Sequence, residues 1–118
     1  LARAAELARE GSLADTEAIA RLGEGWTGEE ALAIAVYCAL KYRDDFRKAL
    51  IAAVNHDGDS DSTGAIAGNI LGACLGLSGI PGGWVEQLEL KEVLIELADD
   101  LLTRYRDDDA WWARYPGY

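Results

Sequence analysis

The segment 55-NHDGDSDSTGAIAGNILGACLG-76 joins a cluster of acids to a long apolar stretch, and this junction governs the interpretation of the whole chain. Asp57, Asp59 and Asp61 stand at alternate positions among glycine and hydroxyl residues. Three carboxylates this close in sequence repel one another, and oxygen-rich clusters suit hard cations such as Mg²⁺, Ca²⁺ or Mn²⁺. We therefore expect the acidic loop to bind a divalent cation where the apolar segment begins.

A glycine-rich helix is predicted directly after the acids, over about residues 64–77, with Ser62 or Thr63 as its N-cap. Glycine recurs every four residues and therefore lines one side of this helix: Gly64, Gly68, Gly72 and Gly76. Each interior glycine costs roughly 1 kcal/mol relative to alanine, but a side without Cβ atoms allows another backbone or a ligand to approach closely. We predict that Gly68 and Gly72 face another helix at close range.

Helical periodicity also dominates the rest of the chain, and because strand alternation does not occur we predict an all-α fold. The other expected helices cover about residues 1–10, 15–23, 28–42, 45–54 and 90–106, with a short turn or helix around 84–88 and an irregular tail. Asp15 is expected to cap the second helix, and Thr27 and Glu30 have the spacing of a capping box in which Glu30 bonds to the Thr27 N–H. The helix over 45–54 is expected to turn its larger apolar side chains inward: Phe46, Leu50, Ile51 and Val54.

The composition argues against several classes of function. The chain has 118 residues, which suits one domain or part of one, and a formal net charge of −10. Binding along a nucleic-acid backbone relies on clustered lysine and arginine, so we expect no nucleic-acid partner. Neither a signal peptide nor an apolar run of about 18 residues is evident, so we expect no membrane partner and a cytoplasmic location. Cys38 and Cys74 lie in apolar helical patterns and are expected to be free and buried.

The acidic loop departs from two familiar aspartate-rich motifs. An EF-hand loop needs glycine at its sixth position and glutamate at its twelfth, where this sequence has Ser62 and Gly68. A phosphoaspartate nucleophile would usually follow a buried strand, whereas residues 50–55 have the pattern of a helix end. A capped, solvated loop with no ligand stays open as an alternative to cation binding.

The remaining chemically distinctive residues are expected to be structural. His56 is the single histidine, and one isolated histidine is most simply a hydrogen-bonding group rather than a base or a ligand. Trp111, Trp112 and Tyr115 near the end of the chain are expected to dock onto the core rather than to form a stacking platform.

The acidic segment resembles the C-terminal signature of the ADP-ribosylglycohydrolases, in which Gly-Asp-Thr/Ser-Asp-Thr/Ser precedes a helix rich in glycine and alanine. Residues 55–68 carry that pattern, although Asp57 stands where many members have glycine or serine. Further similarity covers about residues 20–118. It comprises Gly25-Trp26 with Glu29-Glu30-Ala31-Leu32, Ile80-Pro81 with Trp84 and Leu88, and Trp112 with Arg114-Tyr115-Pro116-Gly117.

The resemblance implies an orthogonal multi-helix fold and an Mg²⁺-dependent hydrolase with two metal ions, for which Mn²⁺ is a possible substitute. It implies cleavage of the glycosidic bond of ADP-ribosyl groups on protein side chains or on small molecules. Asp59, Asp61 and Ser62 match the metal ligands of the signature, and Asp59 and Asp61 would be catalytic together with residues of the family's N-terminal part.

The family's other metal ligands belong to an acidic N-terminal motif that has no counterpart in this sequence. Residues 1–118 are therefore expected to be the C-terminal portion of a single domain, whose missing N-terminal half is an expected partner. The absence of methionine and the opening of the chain within a helical pattern, at Leu1, predict either a processed protein or a piece of a longer one. Alone, the chain is expected to be inactive and prone to self-association. The alternatives are a non-catalytic relative that keeps the fold as a binding or structural module, and an acidic cation-binding interaction module.

Overall fold

A computed structural model describes residues 1–117, which divide into a unit over residues 1–82 and a second unit from Gly83 onward. The all-α prediction is confirmed, since these residues contain helices and no strand. The helices are α1 Ala2–Glu10, α2 Asp15–Ala20, α3 Gly28–Lys41, α4 Phe46–Val54, α5 Ser60–Leu75, α6 Gly82–Glu86, α7 Lys91–Thr103 and α8 Asp109–Arg114, with a 3₁₀ turn at Leu77–Gly79. Among the described helices, none is both long and apolar enough to cross a lipid bilayer.

Helix α3 is the centre of the first unit. It packs against α1, α4 and α5, and α4 also packs against α5. Its side chains are apolar almost all round, as the sequence predicts for a central helix, and Ile34, Ala35, Tyr37 and Cys38 are fully buried. Alanine dominates the core that α3 shares with its neighbours, and small side chains allow the helix axes to approach closely.

The inner side of α4 differs from the prediction. Phe46 is buried as expected, but the other buried positions are alanines: Ala49, Ala52 and Ala53. Ile51 and Val54 are each 46% exposed, because close packing selects the small side chains of this helix for its buried face.

Helix α5 begins earlier than predicted, because its N-cap is Asp59 and neither Ser62 nor Thr63 caps it. The close approach along its glycine side is limited to the first turns and involves α4. A Cβ atom added to Gly64 would lie 2.5 Å from Cγ1 of Val54, and one on Gly68 would lie 3.8 Å from Cδ1 of Leu50. No atom would come within 4 Å of one on Gly72, so the prediction for that residue is wrong in the described part of the chain.

Asp15 opens α2 but does not cap it, because its carboxylate turns toward α3 instead. It accepts hydrogen bonds from Tyr37 Oη at 2.8 Å, Lys41 Nζ at 2.8 Å and Tyr42 Oη at 2.7 Å. Burial opposes ionisation, but the hydrogen bonds from Lys41, Tyr42 and Tyr37 outweigh it and lower the pKa of Asp15. The carboxylate therefore fastens α2 to α3 through a charged, partly buried network.

The two cysteines are free, as predicted, but only one of them is buried. Burial in the α3 core raises the pKa of the Cys38 thiol to about 12. Cys74 is exposed near the end of α5, so the prediction of burial is wrong for this residue.

The second unit contains α7, α8 and an aromatic cluster. The sequence predicts an irregular tail, but Asp108 caps a short helix by accepting a 2.7 Å hydrogen bond from the Trp111 backbone N–H. The Trp111 ring lies 6.0 Å from that of Tyr105 and 5.0 Å from that of Tyr115, measured between centroids. Aromatic packing within this unit therefore contributes to the order of residues 105–115, and docking onto the core stays a prediction.

Candidate metal-binding loop

The three predicted metal ligands are brought together at the start of α5. Asp59 caps the helix, and its carboxylate lies 3.5 Å from the backbone nitrogen of Ser62. Hydrogen bonding with the Asp61 carboxyl group, and then with the hydroxyl and N–H of Ser62, lowers the pKa of Asp59. Two carboxyl groups and a hydroxyl therefore present oxygen atoms at a helix N-terminus, where the backbone also favours negative charge.

His56 connects this loop to the body of the unit through two hydrogen bonds. Its Nδ1 lies 3.1 Å from the backbone nitrogen of Gly58, and its Nε2 lies 2.9 Å from Oγ1 of Thr63. Oγ1 of Thr63 is itself buried and donates to the Ala53 carbonyl oxygen at 2.6 Å. The interpretation of His56 as a structural hydrogen-bonding group agrees with these contacts.

A second loop, around Glu24 and Gly25, holds the acidic loop from the other side. The backbone N–H of Asp59 donates a 2.8 Å hydrogen bond to the Glu24 carbonyl, and a Cβ atom on Gly58 would collide with that carbonyl. Gly25 is buried at a φ of +85°, and a Cβ atom there would lie 3.0 Å from Cγ2 of Thr63. Gly58 is therefore required by close backbone approach, and Gly25 by its positive φ and by the nearby Thr63 methyl group.

Glu30 fixes the conformation of this second loop. Thr27 accepts a hydrogen bond from the Glu30 backbone N–H at 3.4 Å, as a capping box requires. The Glu30 carboxylate, however, accepts from the N–H of Gly25 at 3.2 Å rather than from Thr27, so that half of the prediction is wrong. Through this hydrogen bond Glu30 stabilises the loop around Glu24 and Gly25, which in turn supports Asp59.

A cavity of about 370 Å³ opens on one side of the acidic loop. It is lined by Thr16, Ile19, Ala20, Gly23, Glu24, Asn55, His56, Asp57 and Gly58. Asp57 is therefore the one acid of the 57–61 motif that lines this cavity, since Asp59 and Asp61 are not among its lining residues. Asp57 faces this cavity from an exposed position.

The predicted ligands have the type of donor atom that a hard cation prefers, but too few of them lie together in the described residues to hold one. Carboxylate and hydroxyl oxygens are the donors that Mg²⁺ and Mn²⁺ prefer. Within residues 1–117, however, no group of three or more His, Cys, Asp or Glu side chains is arranged to hold a metal ion. That Asp59, Asp61 and Ser62 bind a cation together with ligands from another part of the domain stays a prediction.

The described residues form an all-helical fold with an acidic, glycine-supported loop at the start of a partly buried helix. The model of the ADP-ribosylglycohydrolase family matches residues 1–110 of this chain. The chain belongs to the ADP-ribosylglycohydrolase family.

Individual relatives agree with this assignment. The chain is 48% identical over 48 residues, 41% of its length, to an ADP-ribosyl-[dinitrogen reductase] glycohydrolase from Rhodospirillum rubrum. It is 38% identical over 61 residues, 52% of its length, to the ADP-ribosylarginine hydrolase Tri1 of Pseudomonas putida. It is also 27% identical over 111 residues, 86% of its length, to the bovine ADP-ribosylhydrolase ARH3.

The chain spans only a minor part of each relative. The aligned segments cover 16% of the Rhodospirillum and Pseudomonas proteins and 30% of the bovine protein. No solved structure matches the chain significantly.

Proposed function

We propose that this chain supplies one side of the active site of an Mg²⁺-dependent hydrolase that removes ADP-ribosyl groups. Asp59, Asp61 and Ser62 would contribute oxygen ligands to a site with two Mg²⁺ ions, for which Mn²⁺ could substitute. The observation that carries the proposal is the convergence of these three side chains at the start of α5, in a chain of this family.

The loop is well suited to this chemistry in its own right. Bound divalent cations would supply Lewis-acid activation of water and substrate hydroxyls. The loop's own contribution is charge and position, because negative charge near the scissile bond favours an oxocarbenium-like transition state. The backbone N–H of Asp59 bonds to the Glu24 carbonyl and its carboxylate caps α5, so the fold holds Asp59 at the start of this helix.

The substrate class follows from the family rather than from a pocket in this chain. The names of the relatives include an ADP-ribosyl-[dinitrogen reductase] glycohydrolase and an ADP-ribosylarginine hydrolase. We propose an ADP-ribosylated protein or an ADP-ribosyl small molecule as the substrate, and the remainder of the same domain as the partner that completes the site. A cytoplasmic location stays part of this proposal.

The direct test is release of ADP-ribose by the full-length protein in Mg²⁺, compared with variants Asp61→Asn and Asp57→Asn. Both changes remove one carboxylate from the same loop, but only Asp61 is a proposed ligand, so only Asp61→Asn should abolish turnover and weaken metal binding in calorimetry. Equal loss in both variants would contradict the ligand assignment. Metal binding without turnover on any ADP-ribosyl substrate would favour the non-catalytic alternative.

A further inference from the structure

We propose that His56 is a positioning residue that holds the Asp59–Asp61 loop in its cation-binding arrangement and that it acts through Thr63. This inference rests on the proposed function, because it assigns His56 a role in the same site. The hydrogen bonds of His56 go to Gly58 and Thr63 rather than to either carboxylate, so we assign it a positioning role rather than that of a ligand or a base.

The directions of the hydrogen bonds determine which ring nitrogen carries the proton. The Gly58 N–H can only donate, so Nδ1 of His56 must accept. The ring proton of the neutral imidazole is then on Nε2, which donates to Oγ1 of Thr63 at 2.9 Å. The Thr63 hydroxyl donates its own proton to its shortest acceptor, the Ala53 carbonyl at 2.6 Å. Three hydrogen bonds therefore run in one direction from the loop into the protein.

At its inner end, this chain of hydrogen bonds reaches two buried residues, Thr63 and Ala53. Thr63 is fully buried in the first turn of α5, and Ala53 is fully buried in the last turn of α4. Oγ1 of Thr63 also lies 3.0 Å from the carbonyl oxygen of Asp59. A buried hydroxyl shared by the two helices thus gives His56 a fixed anchor at the base of the loop.

At its outer end, the same chain of hydrogen bonds holds the backbone next to Asp59, the proposed ligand. His56 fixes the N–H of Gly58, and the Glu24 carbonyl fixes the next N–H, that of Asp59, at 2.8 Å. Two successive amides are therefore held from two different parts of the fold. Since these amides set the direction in which the Asp59 side chain leaves the backbone, loss of His56 should leave Asp59 present but misdirected.

The experiment measures Mn²⁺ affinity of the full-length protein by electron paramagnetic resonance, and thermal stability in parallel. His56→Ala and Thr63→Val each break the connection, and we expect each to weaken Mn²⁺ binding by about tenfold, as losses of ligand-supporting hydrogen bonds commonly do. Thr63→Ser keeps the hydroxyl and should bind like the natural protein. His56→Asn should be intermediate, because its side-chain oxygen can still accept from the Gly58 N–H but its side chain cannot reach Thr63.

A matched control separates positioning from general destabilisation. Leu71 is buried about two turns beyond Thr63 on α5, so Leu71→Val should lower thermal stability and leave Mn²⁺ affinity unchanged. The inference is overturned if His56→Ala binds Mn²⁺ as tightly as the natural protein, or if Leu71→Val weakens binding as much as His56→Ala. Failure of the natural protein itself to bind Mn²⁺ or Mg²⁺ would instead refute the proposed function.

Discussion

The backbone N–H of Asp59 donates a 2.8 Å hydrogen bond to the carbonyl oxygen of Glu24, and this contact joins the acidic loop to a loop more than thirty positions earlier in the sequence. Gly58 makes the contact possible, because any side chain at this position would collide with the same carbonyl. The position of the candidate site therefore depends on a backbone contact rather than on the acids alone.

Replacement of Gly58 by alanine should consequently disturb the site more than its small size suggests. The backbone of Glu24 cannot rotate away as a flexible side chain would, so we expect Gly58→Ala to lower the free energy of unfolding by about 1–3 kcal/mol. Urea denaturation measures this change. Gly28→Ala is the matched control, since no atom lies within 4 Å of a Cβ atom at that position, and it should be nearly neutral. Equal midpoints for the two variants would contradict the close contact.

The glycine side of α5 gives a graded prediction. A methyl group on Gly64 would lie 2.5 Å from Cγ1 of Val54, a β-branched residue whose side chain has little freedom to move. Gly64→Ala should therefore destabilise the protein. Gly72→Ala meets no atom within 4 Å and should stabilise it by up to about 1 kcal/mol through better helix propensity. Thermal unfolding of both variants provides the test, and the same sign of change in both would refute the graded contact.

The thiols offer a test of burial. Cys74 is exposed, whereas Cys38 is buried with its pKa raised to about 12 by burial. A thiol reacts as its thiolate, so at neutral pH Cys74 should be modified rapidly and Cys38 only after unfolding. Labelling by a disulfide reagent, with Cys74→Ser and Cys38→Ser as a matched pair, checks this. Rapid labelling that survives in Cys74→Ser and is lost in Cys38→Ser would contradict the described core.

Sequence patterns are sufficient for the all-α class and for the grouping of Asp59, Asp61 and Ser62, because helical periodicity and motif spacing are local properties. Sequence patterns fail to predict the role of a residue where contacts between distant segments determine it. Aspartate commonly caps helices, which is why the sequence predicts this role for Asp15. In the structure its carboxylate instead accepts hydrogen bonds from Tyr37, Lys41 and Tyr42, which lie in a different part of the fold.

Glycine illustrates the same limit. The repeat along α5 is conspicuous, yet Gly72 makes no close contact among the described residues, whereas Gly58 and Gly25 are tightly constrained. Their neighbours are Glu24 and Thr63, and that pairing of distant segments leaves no signal in either segment alone. The hydrogen-bonding role of His56 can be anticipated from its chemistry, but its partner Thr63 cannot.

The network around Asp15 predicts a dependence of stability on pH. The pKa of Asp15 is lower in the folded protein than its ordinary value of 3.8, because the hydrogen bonds from Lys41, Tyr42 and Tyr37 outweigh burial. A carboxyl group whose pKa falls on folding stabilises the protein above its unfolded pKa, and this stabilisation is lost as the pH falls through the folded value. Asp15→Asn should therefore cost about 1–3 kcal/mol at neutral pH, because it replaces hydrogen bonds to a charged acceptor by weaker ones.

The difference between the natural protein and Asp15→Asn should shrink as the pH falls below 3.8 and through the lower pKa of the folded protein, because the natural carboxyl group then loses its charge. Urea midpoints measured from about pH 7 to about pH 2.5 would record this convergence. Asp44→Asn is the matched control, because its carboxylate lies on the surface in an ion pair with the adjacent Arg43 and should contribute little. A difference between Asp15→Asn and the natural protein that stays constant through this range would mean that the charge of Asp15 does not stabilise the junction of α2 and α3.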